Sequence, residues 1–185
     1  LFWHLVRTGS MSIDEALGVS IGFAALDKIW WCINWAGPLK QGITGPLVQT
    51  AIQMAAAYCL YNDINAQDVA KYYGMYGIVL GAIGYAFPKA LLEAHGIDMA
   101  DDPMSKEIMK GIMCNTGMMG VLCINAHTGG PTNAFGAMWF VNMINVYMNI
   151  ANEDCKKMGM ASDTPMKFWL ALSLVMVLSA GGACF

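Results

Sequence analysis

Apolar residues in this chain come in long runs. Proline, glycine and short acidic or hydroxylated clusters interrupt them, and this punctuation predicts six helices. Ser12 and Glu15 have the spacing of a capping box, in which the two side chains satisfy backbone N–H groups left unpaired at a helix start. A first helix is predicted from about Ile13 to Trp35, ending at Gly37-Pro38. Pro46 opens a second, to Tyr61, where its missing N–H costs nothing. The third runs from about Asp68 to His95, with Pro88 near its end and Gly96 as its stop. Asp102-Pro103 opens the fourth, which ends before Gly129-Gly130-Pro131. Thr132 opens the fifth, to about Met158, and Thr164-Pro165 opens the sixth. No run alternates with period two and no internal repeat stands out, so the fold class expected is all-α.

Composition moves this picture toward a bilayer. The 185 residues are 57% hydrophobic and 12% charged, with a mean hydropathy of +0.47. Ordinary soluble domains are about 25% charged and about 45–50% apolar. The expectation is one integral-membrane domain over residues 1–185, a multi-pass transmembrane helical bundle. A crossing takes about 20 mainly apolar residues. Phe168–Phe185, Tyr72–Phe87, Gly111–Ala126 and Ala134–Ile150 supply four segments, each slightly short, so that polar flanks must snorkel or neighbours shield them. The first two helices raise the number to six at most, since one contains Asp27-Lys28 and the other Gln49 and Gln53.

With six crossings, Lys40, Lys89, Lys106, Lys110, Lys156, Lys157 and Lys167 fall on one side, against Arg7 and Lys71 on the other. That bias orients the first set toward the cytoplasmic, stromal or matrix face. A net charge of −3 and a single arginine leave no basic surface for nucleic acid. Residues 1–9 show neither the pattern of a transit peptide nor the cleavage layout of a signal peptide.

Several constellations carry candidate chemistry. Asp27 and Lys28 put charge inside an apolar helix, which marks either a polar pathway or a buried partner. Trp30, Trp31 and Trp35 read as an interfacial belt, or as a packing surface for a ring-shaped cofactor. Asn142, Asn145, Asn149 and Asn152 are spaced three, four and three apart and share one helix face. Amides cannot face lipid unsatisfied, so this face is expected to meet another helix, a polar substrate or a pigment. Gly77 and Gly81 form a GxxxG pair for close helix packing.

His4, His95 and His127 lie near segment ends, where each could ligate one chlorophyll magnesium or bond a lipid. Together with Asn142, Asn145 and Asn149 they are the candidate cofactor-binding residues. The sixteen methionines supply polarizable filling suited to lipids or pigments. No metal site is expected, because no His or Cys pair has ligand spacing. No serine, cysteine or lysine sits in a recognised nucleophile context, so an enzyme is not expected.

The stretch Tyr72–Ile97, with glycine-spaced apolar residues ending in Phe87-Pro88-Lys89, resembles one helix of the small four-helix DoxX-like membrane proteins. That resemblance implies a membrane helix and, at its furthest, redox chemistry at Cys114 or Cys123. The residues themselves lead first to a non-catalytic accessory subunit of a large energy-transducing membrane complex. A photosystem (photosystem I) in the plastid thylakoid is the leading version, with chlorophyll, carotenoid and lipids as cofactors and other subunits and the bilayer as partners. The alternatives are an accessory subunit of a respiratory complex in the mitochondrial inner membrane, and a small transporter or channel. The last would use Asp27, Lys28 and the asparagine face.

Overall fold

The computed structural model describes residues 2–35, 44–96, 101–157 and 161–180, and among them there are helices and no strand. In chain order these are α1 (Phe2–Arg7), α2 (Ile13–Trp35), α3 (Thr44–Tyr61), α4 (Ala66–Ala86) and α5 (Pro88–Ala94). After them come α6 (Pro103–Thr128), α7 (Gly130–Ala151), α8 (Asp154–Lys157) and α9 (Thr164–Ser179). The caps explain several boundaries. Glu15 N–H donates to Ser12 Oγ at 3.2 Å while Ser12 N–H donates to Glu15 Oε2 at 2.8 Å, closing the box at the head of α2. Ser105 N–H donates to the Asp102 carboxylate at 2.7 Å at the head of α6, with proline in its first turn.

Two boundaries differ from the pattern. The helix expected over about 68–95 is two helices that meet at Phe87. Pro88 has no N–H to give the preceding turn, and its ring disfavours helical backbone at Phe87, so α4 stops and Pro88 starts α5. The helix expected to reach Met158 ends at Ala151, because Glu153 takes a left-handed φ of 56° before α8 begins. The hexapeptide α1 has no counterpart in the sequence pattern.

The chain gathers into two compact units. The first comprises Leu1–Tyr73 and Lys89–Ala100, and its centre is the contact of α2 with α3. Leu17, Ile21 and Leu60 are fully buried there, with Ala25, Ala56 and Ala57 around them. At Gly18 the two backbones come so close that a Cβ would lie 2.8 Å from both Ala57 O and Tyr61 N.

The second unit comprises Gly74–Pro88 and Asp101–Phe185. In it α6 packs on α7, and α7 packs on α9. The later part of α4 lies along α6 through glycine. A Cβ on Gly74 would meet Gly120 O and Ile124, one on Gly77 would meet Thr116 O and Gly120, and one on Gly81 would meet Gly117 and Met113 O. Contacts that climb one helix while descending the other make the pair antiparallel. Met113, Met118, Leu122 and Cys123 fill the buried side of α6.

No single helix among the described residues is long and apolar enough to cross a membrane. Only α4 and α5 taken together pass on length and composition, and that pair is sharply bent at its break.

Candidate functional site

Within the second unit, α4, α6 and α7 border a cavity of about 460 Å³ that is broadly open to the surface. Its walls are methylene, methyl and sulfur surface from side chains such as Ile78, Met113, Val141, Ile144 and Met148. Gly81 and Gly117 form part of the wall, so the residues that bring α4 against α6 also supply no side chain to fill the adjoining space. Asn145, Tyr85 and Cys114 are the lining residues that carry a polar group, the exposed lining itself is almost wholly apolar, and no lining residue is charged. Its volume falls within the range of small-molecule sites, about 300–1,000 Å³.

The asparagine row on α7 is divided by its environment. Asn142 donates from Nδ2 to Ser173 Oγ at 2.7 Å, and Ser173 Oγ donates onward to Trp169 O at 2.8 Å, which joins α7 to α9. Asn145 lies three residues on, which turns it about 60° around the helix relative to Asn142, and it lines the cavity instead. Its Oδ1 is buried and has no hydrogen-bond partner among the described residues. Asn149 is half-buried and Asn152 exposed.

Charge gathers where α6 begins and α7 ends. Lys110 donates to Glu107 at 2.8 Å, and the Glu107 side chain is only 8% exposed. Lys157 donates to Asp154 at 2.5 Å within α8, which packs on α6 and α7. Asp154 is 1% exposed, and its second oxygen is buried without a hydrogen-bond partner among the described residues. The hydrogen bond that Lys157 donates to Asp154 raises the Lys157 pKa above its ordinary value, against a smaller lowering by desolvation and with support from the neighbouring acidic charges.

The histidines are distributed over both units. His4 is exposed on α1. His95 sits after α5, with Nδ1 2.7 Å from Leu91 O and Nε2 3.3 Å from the Gln49 side-chain nitrogen, so both ring nitrogens have neighbours to bond. His127 is half-buried in the last turn of α6. Among the described residues, no three His, Cys, Asp or Glu side chains gather as a metal-holding group. The side chains of Asp27, Lys28, Trp30, Trp31 and Trp35 lie outside the described residues.

Of the expected residues the cavity includes Asn145, the packing glycine Gly81 and Cys114, the last named only through the DoxX-like resemblance. Tyr85 and Met113 carry no sequence signal of their own. The glycines of α4 and α6 were the available hint, since two small-residue faces on neighbouring helices leave space beside their contact. Comparison with protein-family models, with curated proteins and with solved structures returns no match for this chain.

Proposed function

We propose that this chain is a non-catalytic accessory subunit of a large energy-transducing membrane complex, held among lipids and neighbouring subunits. The observation that carries this reading is the absence of charge from exposed helix faces. From Phe168 to Ala180, α9 has no charged residue, yet Phe168 is 66% exposed and Leu178 64%. All of α3 is likewise uncharged, with Val48 and Tyr58 exposed, and so is α4 from Tyr72 onward, with Val79 and Ile83 exposed. Monomeric soluble proteins rarely leave contiguous apolar patches beyond a few hundred Å² uncovered. Lipid tails and the apolar flanks of other subunits are the surroundings in which such faces cost nothing.

The length of α9 favours an assembly over a lone bundle. At about 1.5 Å per residue, the 16 residues of α9 rise about 24 Å, short of the roughly 30 Å hydrocarbon core. Neighbouring subunits shield the ends of helices this short. Within the class, a photosystem in the thylakoid stands first and a respiratory complex second. In the photosystem reading His4, His95, His127, Asn142, Asn145 and Asn149 are the positions proposed to hold pigment, of which His95 and Asn142 already have hydrogen-bond neighbours within the chain.

Purification of the native protein in a mild detergent, with complex size and visible spectrum recorded together, tests both levels. A large complex with chlorophyll and carotenoid bands supports the photosystem assignment. A large complex with haem bands moves the subunit to a respiratory membrane. A small colourless particle overturns the accessory reading altogether.

A further inference from the structure

We infer that the second unit sits in a lipid bilayer one way round. The α6–α7 hairpin crosses the hydrocarbon core with all the charge of the unit among the headgroups of one leaflet, and the uncharged Gly129-Gly130-Pro131 turn lies at the other. This rests on the membrane reading above and adds to it which end of the unit meets which surface.

Charge placement is the first observation. Every charged residue of the unit falls in 101–110 or 153–167, carboxylates and lysines alike. Packing brings these two segments together. The turn at Gly129 folds α7 back along α6, so the end of α7 meets the start of α6, and α8 packs on both. There the Glu107 charge acts on Lys157. Asn142 and Ser173, which join α7 to α9, stand equally far from Ala151 and Thr164. That is the register of an antiparallel pair, and it puts the ion pair of Lys167 with Asp163 at the same end. A helix on the surface of a soluble domain carries its charges along the outward face. This unit keeps them at one end and leaves Val175 and Leu178 exposed beyond it. Phe168 and Trp169, exposed next to Lys167, mark the boundary as aromatic residues do at a bilayer interface.

Length and polar pairing are the second and third. Residues 111–128 carry no charge and rise about 27 Å at 1.5 Å per residue, against a core of roughly 30 Å. The turn has to reach headgroups or water, because α7 starts without a side-chain cap and its first N–H groups cannot stay unpaired in hydrocarbon. No single helix passes as a span by hydropathy, and in α6 asparagine and threonine lower it. Those side chains are met within the helix. Thr116 Oγ1 donates to Ile112 O at 3.0 Å, Asn125 Nδ2 to Val121 O at 2.9 Å and Thr128 Oγ1 to Ile124 O at 3.1 Å. Each carries its hydrogen bond with it into lipid.

The test is made on the full chain, synthesised in the presence of sealed phosphatidylcholine vesicles. A membrane-impermeant amine reagent is added outside or sealed inside, and modified lysines are mapped by mass spectrometry. Lys106, Lys156 and Lys167 are expected to react from the same side, by about tenfold or more over the other, since carrying charge through the core costs several kcal/mol. An impermeant maleimide is then used on Thr132→Cys, at the exposed turn, and on Lys156→Cys, with the wild-type chain as background. Thr132→Cys should be labelled only from the side opposite to Lys156→Cys. Lysines divided between the two sides overturn the inference. So does a turn labelled from the same side as Lys156→Cys, or from neither. A chain that does not float with the vesicles overturns the membrane reading itself, and the inference with it. The lysine map needs no variant, so it can refute the inference even where the variants do not fold.

Discussion

The α2–α3 joint of the first unit and the α4–α6 seam of the second both bring helices close through small residues, with opposite consequences. In α2 a single glycine, Gly18, admits the backbone of α3, and Leu17, Ile21 and Leu60 beside it fill the space on either side. In the seam, glycine faces glycine: Gly74 and Gly77 lie against Gly120, and Gly81 against Gly117. Backbone meets backbone, and the flank of that contact has too few side chains to close it. The cavity begins there, with Gly81 and Gly117 in its wall. A close glycine contact flanked by leucine and isoleucine makes a filled joint, whereas glycine set against glycine makes a close joint with a void beside it.

Adding a methyl group to the seam should produce the largest effect. A Cβ at Gly120 would lie 2.7 Å from Ile78 N, a backbone atom that cannot move without shifting the helix. Gly120→Ala is expected to destabilise the chain by about 2–3 kcal/mol, even after the roughly 1 kcal/mol that alanine gains over glycine in a helix. Gly111, on the same helix, has open space where a methyl group would stand. Gly111→Ala should therefore stabilise by about 0.5–1 kcal/mol. Unfolding of the two variants followed by circular dichroism checks the pair. Equal effects at both positions would remove the seam as a packing contact and, with it, the contrast with α2–α3.

Polar joining is the next size down. Ser173 is fully buried and links Asn142 to the Trp169 carbonyl. Ser173→Ala leaves the Asn142 amide without its acceptor, and a loss of about 1–2 kcal/mol is expected. Asn142→Leu together with Ser173→Ala should lose less than the sum of the single changes, because no unmet amide remains. A double-mutant cycle on unfolding free energies measures this. Asn145 predicts the opposite sign. Its carbonyl has no partner among the described residues, so Asn145→Leu should stabilise the protein by about 1 kcal/mol. A clear loss of stability there would mean that the amide is already satisfied.

How much of this could be read in the sequence follows from how local each cause is. The Ser12–Glu15 box and the Asp102-Pro103 start act within one turn, and the starts of α2 and α6 were legible from them. The break at Phe87 was not, because a proline near a helix end either kinks or stops it according to what surrounds the next turn. Helices as short as α1 and α8 are too brief for a period to register. Glycine spacing on α4 announced close packing, but the antiparallel register that lays Gly81 on Gly117 belongs to neither helix alone. For the same reason the asparagine row was visible as one face, while its division between a Ser173 bond and a cavity wall was not.

The smallest effect is expected at the charged end of the second unit, where α8 closes on α6 and α7. Asp154 is almost wholly buried, and Lys157 reaches it from a half-exposed position. Breaking the pair at Lys157 strands a buried carboxylate, so Lys157→Gln should lower the melting temperature at neutral pH. The folded-state pKa of Lys157 lies above its ordinary value. Its contribution is therefore fully present below the unfolded lysine's pKa of about 10.4 and fades as pH rises through the higher folded value. The gap between wild type and Lys157→Gln should be constant from pH 7 to about 10 and shrink above that. Melting curves collected across this range decide it. A gap that stays the same into strong alkali would mean that the lysine stem, packed along α8, supports the unit and its charge does not. The clip would then be apolar, like the α2–α3 joint.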